Sequence, residues 1–202
     1  MYLPLVRQLA KRGHHILWAN SRYRGADYAL MMEKVACDLG EAICDAKDRL
    51  GYSNIVLAGW SGGGSLMLWY QALAEAGDGI SDTAAGDSYT VDAARLPAAN
   101  SILMLAAHVS RHRIFTEWLD PSITDESQPH LRDAQLNLYD AANPNQPPYS
   151  ADFLALFAQA QIARNRRITA WVREKLNVIR ASDSPWSEFC LLYTSPSPRD
   201  LH

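Results

Sequence analysis

One serine stands among glycines between two apolar stretches of the chain. The pattern G-x-S-x-G occurs as Gly59-Trp60-Ser61-Gly62-Gly63, after the apolar run 55–58 and before the apolar run 66–70. This order predicts a buried strand, an abrupt turn and a helix. Ser61 at the tip of such a turn has its hydroxyl held up at the carboxyl edge of a sheet. The amide of Gly62, at the helix start, then points toward a developing oxyanion.

The glycines around Ser61 have a predicted steric purpose. If the serine takes unfavourable backbone angles, side chains two residues before and two residues after it would collide, so Gly59 and Gly63 are expected to be required. Two other interpretations are a plain glycine loop and a phosphate-binding loop. A Walker loop needs a lysine after its last glycine, which is missing here, and the spacing G-x-G-x-x-G is also unmet. Phosphate binding is the weaker interpretation.

The overall composition is that of an ordinary globular protein. The chain has 202 residues, is 48% hydrophobic and 20% charged, and has a net charge of -3, which argues against nucleic-acid and anionic-membrane partners. No apolar run reaches the length of a membrane span. Cys37, Cys44 and Cys190 form no even disulfide framework and no metal-binding spacing. A reducing, cytoplasmic location is therefore expected, and the oligomeric state is left open.

Helices and strands are predicted to alternate through the first half of the chain, which indicates an α/β fold with a parallel sheet. Asp27 is the expected N-cap of the second helix and Gly51 its expected stop, and the third helix is expected to be buried between layers. Residues 77–100 are predicted to be a long surface connection. The predicted elements are helix 1–13, strand 14–19, helix 27–51, strand 54–59, a helix to about residue 76 and strand 101–107.

Three polar clusters each leave two interpretations open. His14 and His15 are either metal ligands or a solvated strand edge, the latter favoured. The residues after strand 14–19 either line a ligand site, since ligands bind at this edge of a parallel sheet, or pack the next helix; these are Asn20, Arg22 and Tyr23. The arginines of segment 164–167 either attract an acidic substrate or form a solvated helix face, which is favoured.

The second half of the chain has a different character. Residues 111–148 contain Pro-rich loops around short helical pieces, and a long helix is predicted from Ser150. Residues 111–181 are expected to form a helical cap that covers a substrate pocket or docks on the core. Residues 182–202 are expected to be an unstructured tail. From about residue 190 the sequence resembles translated adapter read-through and is excluded from the fold assignment.

The Ser61 motif, its strand-turn-helix setting and the alternating elements over residues 1–110 resemble the α/β-hydrolase superfamily. The resemblance implies a partial sheet of that family, with strands 14–19, 54–59 and 101–107 as its fourth, fifth and sixth. It implies that Ser61 is the nucleophile and the Gly62 amide one half of the oxyanion hole. The expected reaction is hydrolysis of a carboxylic ester in a small-molecule acyl substrate, through an acyl-enzyme and without cofactor or metal. The alternatives are a non-catalytic binding protein of this fold and an acyltransferase.

Other parts of the family pattern are missing from this sequence. The second oxyanion donor is expected in a loop before Met1, and the triad acid and histidine are expected beyond the cap. The chain is therefore expected to be a fragment truncated at both ends. His108 is the best candidate base by position, or else a polar residue of the cleft. None of the further candidates is assigned a catalytic role; these are His112, His130, Asp120, Asp125 and Asp133.

Overall fold

A computed structural model describes residues 3–25, 30–83, 86–108 and 110–181. The chain divides into two compact units, Met1–Ala107 and His108–His202. Helices and small sheets are mixed, so the fold is roughly α/β. The predicted N-cap Asp27 and the predicted tail 182–202 lie outside the described residues.

The first unit is built around one pair of parallel strands. Strand β1 pairs with β4 over their whole length, Val56 opposite Ser101 and Trp60 opposite Leu105. Strands β2 and β3 form a separate antiparallel pair. The elements in chain order are α1 Leu3–Lys11, α2 Met32–Asp48, β1 Val56–Trp60, α3 Gly62–Ala76, β2 Ile80–Asp82, β3 Ser88–Val91, the 3-10 helix Ala93–Arg95 and β4 Ser101–Leu105.

The core of this unit lies between the helices and one face of the parallel strands. Leu57 of β1 and Tyr70 of α3 are both buried, and Tyr70 is fully enclosed. Helix α2 contributes Ala36 and Ile43, which lie seven residues apart on one face of the helix. The core is completed by side chains from the β2–β4 region: Ile80, Leu96 and Ala99.

The elements next to Ser61 are confirmed. The predicted strands at 54–59 and 101–107 appear as the parallel pair β1 and β4, and the predicted helices appear as α1, α2 and α3. However, α3 is only partly covered, since Leu68 remains 37% exposed. Its expected burial between two layers is wrong for this reason.

The expected strand at 14–19 is absent. Residues 14–20 have no regular secondary structure and are exposed, Leu17 to 55%. A strand needs a hydrogen-bonded neighbour, and in the described residues β1 pairs only with β4. An apolar run alone does not supply that neighbour.

The segment 77–100 was also predicted wrongly. In place of a surface connection it contains β2, β3 and the 3-10 helix. It also buries Ile80, Leu96 and Ala99 in the core. These strands are three and four residues long, too short for the alternation of apolar residues that would reveal them.

In its described residues, the second unit consists of two helices joined by a long irregular connection. Helix α4 is Arg111–Glu117 and helix α5 is Ala151–Ala181. Ser110 caps α4 by accepting a hydrogen bond from the Arg113 amide. The long helix α5, predicted from Ser150, packs on α4. Among the described residues, no helix is both long and apolar enough to cross a membrane.

Candidate active site

Ser61 occupies the single residue between the end of β1 and the start of α3. Its backbone angles are φ 54 and ψ -122. Only one other described residue besides glycine, Ala106, has a positive φ. Such a conformation costs a residue with a side chain about 1–3 kcal/mol and persists only where the surroundings enforce it. The turn predicted from the glycine pattern is therefore present and strained.

The predicted steric requirement holds at Gly59 and fails at Gly63. A Cβ on Gly59 would lie 2.5 Å from the Gly63 carbonyl oxygen and 2.7 Å from the Gly64 nitrogen. A Cβ on Gly63 would meet nothing within 4 Å. The second crowded position is Gly64, whose Cβ would clash with the methyl group of Ala107. The glycines that are sterically required are therefore Gly59 and Gly64. The motif G-x-S-x-G predicts Gly59 and Gly63 instead.

Hydrogen bonds tie the turn to both neighbouring elements. The Ser61 amide donates to the Leu105 carbonyl at the end of β4, at 3.1 Å. The Ser61 carbonyl accepts from the Gly64 amide at 3.1 Å. The Ser65 hydroxyl is buried and donates to the Gly62 carbonyl at 2.9 Å. These hydrogen bonds fix the backbone of the turn.

The Ser61 hydroxyl and the Gly62 amide, which a nucleophilic attack would use, are available for a substrate. Within the described part of Met1–Ala107, the Ser61 hydroxyl has no hydrogen-bond partner and does not cap α3. The amide of Gly62 is the first of α3, where helical amides lack an intrahelical acceptor and the helix dipole favours negative charge. A hydroxyl and an amide of this kind, one residue apart, can serve an attack on a carbonyl group.

The polar residues after segment 14–19 have local structural roles. Arg22 binds Asp38 of α2 through its backbone amide and its guanidinium group, with Nη2 2.6 Å from Oδ1. Burial opposes ionisation of Asp38, but Arg22 still holds the pKa of this carboxyl below its usual value. Asn20 accepts from the Trp18 indole, and the Tyr23 amide donates to Ser21. These contacts favour the packing interpretation of the segment.

The histidines have separate environments. His15 lies 2.6 Å from the Tyr52 hydroxyl through Nδ1, and His14 is exposed. His108 belongs to the second unit, where its ring makes an edge contact with Trp118 at 5.6 Å between centroids. His112 and His130 are exposed. In the described residues, no group of histidines, cysteines and acids is arranged to hold a metal ion.

The three candidate orienting acids bind their own loops. Asp125 and Asp133 each accept from amides two residues ahead, those of Ser127 and Gln135. Asp120 accepts from the amide and hydroxyl of Ser122 and from Arg132. Across the described part of His108–His202, no carboxylate hydrogen-bonds to a histidine ring. The described residues of this unit therefore form no acid–histidine pair.

We expect Asp120 to make the second unit sensitive to acid. Burial raises the pKa of this carboxyl, but the hydrogen bonds from Ser122 and Arg132 outweigh it and lower the pKa from its ordinary 3.8. Because the folded pKa is depressed, this stabilisation is present above pH 3.8 and is lost as the pH falls through the folded value.

Asp120→Asn should therefore destabilise the protein near neutral pH by about 1 kcal/mol, a value reduced for the partial exposure of the pair. The difference from the unsubstituted chain should vanish in strong acid, in urea unfolding measured across the pH range. A constant difference at every pH would contradict the assignment.

Two arginines of α5 bind the connection between α4 and α5. The predicted solvated face is wrong for Arg164, whose side chain is 13% exposed, whereas Arg167 is exposed as predicted. Arg164 binds both carboxylate oxygens of Glu126 and also the Asp120 carbonyl. Arg167 donates to the Ile123 carbonyl at 2.9 Å. Gln161, one turn earlier, binds the carbonyls at the end of α4. The signal for this row of anchoring residues was the three-residue spacing of the polar side chains 161, 164 and 167 along the helix.

No family model, curated protein or solved structure matches this chain. The functional argument therefore depends on the geometry of the turn at Ser61.

Proposed function

We propose that this chain carries the nucleophile of a serine hydrolase of the α/β-hydrolase type, which cleaves a carboxylic ester through an acyl-enzyme on Ser61. The observation that carries the proposal is the positive φ of Ser61 in the one-residue turn between β1 and α3. Strained conformations cluster at active sites, and a serine strained at a strand-to-helix turn is how a nucleophile elbow presents its hydroxyl.

The proposed reaction uses two groups of the turn. The Ser61 oxygen attacks the ester carbonyl and the alcohol leaves, which forms the acyl-enzyme; water then releases the acid. The Gly62 amide stabilises the oxyanion in both steps, as a donor fixed in advance by the helix start. Ser61 also needs a general base, and the described part of its own unit supplies no group within hydrogen-bond reach.

The last point supports a second candidate, the non-catalytic binding protein of the same fold. Among the described residues of its own unit, Ser61 has the presentation that catalysis needs but no hydrogen-bonded base that would activate it. The two candidates differ in whether Ser61 reacts.

Hydrolysis of p-nitrophenyl acyl esters by the full chain tests the proposed function. Ser61→Ala should lower turnover by about 10³-fold or more, since the acyl-enzyme cannot form without the serine oxygen. The matched control is Ser53→Ala, an exposed serine outside the turn, which should leave turnover unchanged. Equal turnover in the Ser61→Ala variant and the unsubstituted chain would refute the assignment of Ser61 as the nucleophile. Specific binding of an acyl ligand without turnover would favour the binding protein.

A further inference from the structure

We propose that Gly64 and Ala107 are positioning residues that hold Ser61 in its strained conformation. We call residues 105–107, with their contacts to Ser61 and Gly64, the clasp. These contacts are the hydrogen bond from the Ser61 amide to the Leu105 carbonyl and the packing of Ala107 on Gly64. The part of the proposal that concerns the nucleophile rests on the proposed function. The part that concerns the strain of Ser61 does not.

The first observation is the fit between the two residues. Gly64 is buried in the first turn of α3, and a Cβ there would clash with the Ala107 methyl group and come within 3.3 Å of the Ala107 Cα. The Ala107 methyl therefore fills the space that the missing side chain of Gly64 leaves. Because close-packed atoms of this kind cannot approach further, the contact sets the shortest distance between α3 and the chain after β4.

The second observation is that the chain after β4 is itself strained. Ala106 has φ 43, the left-handed region that favours glycine. It lies between Leu105, whose carbonyl accepts the Ser61 amide, and Ala107, which packs on Gly64. Ala106 thus lies between a residue that contacts Ser61 and a residue that contacts Gly64.

These contacts explain why Ser61 does not relax. Rotation about the Ser61 N–Cα bond toward an ordinary φ would shift the start of α3 relative to β1, unless the peptide plane of the Ser61 amide turned instead. The hydrogen bond from that amide to the Leu105 carbonyl opposes such a turn. The backbone of Gly63 and Gly64 leaves no room for that shift at Gly59, and Ala107 blocks it at Gly64. A strained residue persists where its surroundings leave it no alternative conformation. Here the restricting neighbours are Leu105, Gly59 and Ala107.

Melting temperatures test the clasp without any need for catalysis. Ser61→Gly should melt about 3 °C above Ser61→Ala, because glycine adopts a positive φ without strain. In a Gly64→Ala background the added methyl group displaces the turn, and Ser61 can relax from its strained φ. The difference in melting temperature between Ser61→Gly and Ser61→Ala should then fall below about 1 °C. In a Gly64→Ala/Ala107→Gly background the clash is removed and the difference should return.

Gly63→Ala is the matched control background, since it adds the same methyl group one residue earlier into open space. It should keep the full difference between Ser61→Gly and Ser61→Ala. An equal difference in the Gly63→Ala, Gly64→Ala and double-variant backgrounds would overturn the clasp. If Gly64→Ala fails to fold, rescue of folding by Ala107→Gly supports the contact, and failure of that rescue overturns it.

Labelling by a fluorophosphonate separates the clasp from the proposed function. With a reactive Ser61, Gly64→Ala should slow labelling by about 100-fold or more, a loss of the size seen when reacting groups are misplaced by about 1 Å. The double variant should recover the rate. If Ser61 is never labelled, the proposed function fails, and the melting temperatures alone decide whether the clasp exists.

Discussion

Replacing Gly59 by alanine is expected to destabilise the first unit by about 3 kcal/mol or more and to abolish any reactivity of Ser61. The added Cβ would lie 2.5 Å and 2.6 Å from the carbonyl oxygen and carbon of Gly63, and 2.7 Å from the Gly64 nitrogen. All three are backbone atoms at the start of α3. A flexible side chain could turn aside, but this backbone moves only if the helix separates from the strand.

Urea unfolding, followed by circular dichroism, measures this effect. Gly63→Ala provides the comparison, because it introduces the same group in the same turn where no atom lies within 4 Å. We expect that variant to be as stable as the unsubstituted chain or slightly more so, since alanine favours helix. Similar unfolding midpoints for the two variants would show that the packing of β1 on α3 is not as tight as described.

Tyr70→Ala is expected to cost about 3–5 kcal/mol, the range for removal of a large aromatic side chain from a core. Tyr70 lies on α3, is fully buried and belongs to the core cluster beneath the turn. Its hydroxyl donates to the Pro97 carbonyl at 3.0 Å. Tyr70→Phe keeps the ring and loses only this bond, so it should cost about 1 kcal/mol.

The same pair of variants carries a prediction for alkaline solution. Burial, with a smaller contribution from Cys44, raises the pKa of Tyr70 well above its ordinary 10.0. Because the folded pKa is raised, the stabilisation is complete below pH 10 and is lost as the pH rises beyond it. Tyr70→Phe should therefore reduce the loss of stability above pH 10. An unchanged alkaline unfolding profile would show that Tyr70 ionises as freely in the folded protein as in the unfolded chain.

The parts of the fold that were predictable from sequence are those fixed by neighbouring residues. The turn at Ser61 was predictable because its glycines and its flanking apolar runs are consecutive. The same is true of α2, whose apolar stripe recurs along one face. Strand pairing is not local, so segment 14–19 was given a strand although its apolar residues have no hydrogen-bonded neighbour in the described structure.

The candidate site shows the same limit. Ser61 and Gly62 are adjacent, and their arrangement follows from the motif. The clasp joins Gly64 to Ala107 across a long stretch of sequence, and nothing in the sequence near Ala107 marks it. Arg164 was expected in solvent because its charge is visible in the sequence, whereas its partners Glu126 and the Asp120 carbonyl are distant. Contacts between residues far apart in the sequence could be identified only in the structure.

The most direct test of Ser61 as an activated nucleophile is to treat the 202-residue chain with a fluorophosphonate and locate the adduct by peptide mass spectrometry. We predict one adduct, on Ser61, absent from Ser61→Ala and present in Ser53→Ala. That result would mean that a base able to activate Ser61 lies within the chain. A folded chain with no adduct, or with an adduct that persists in Ser61→Ala, would contradict the account.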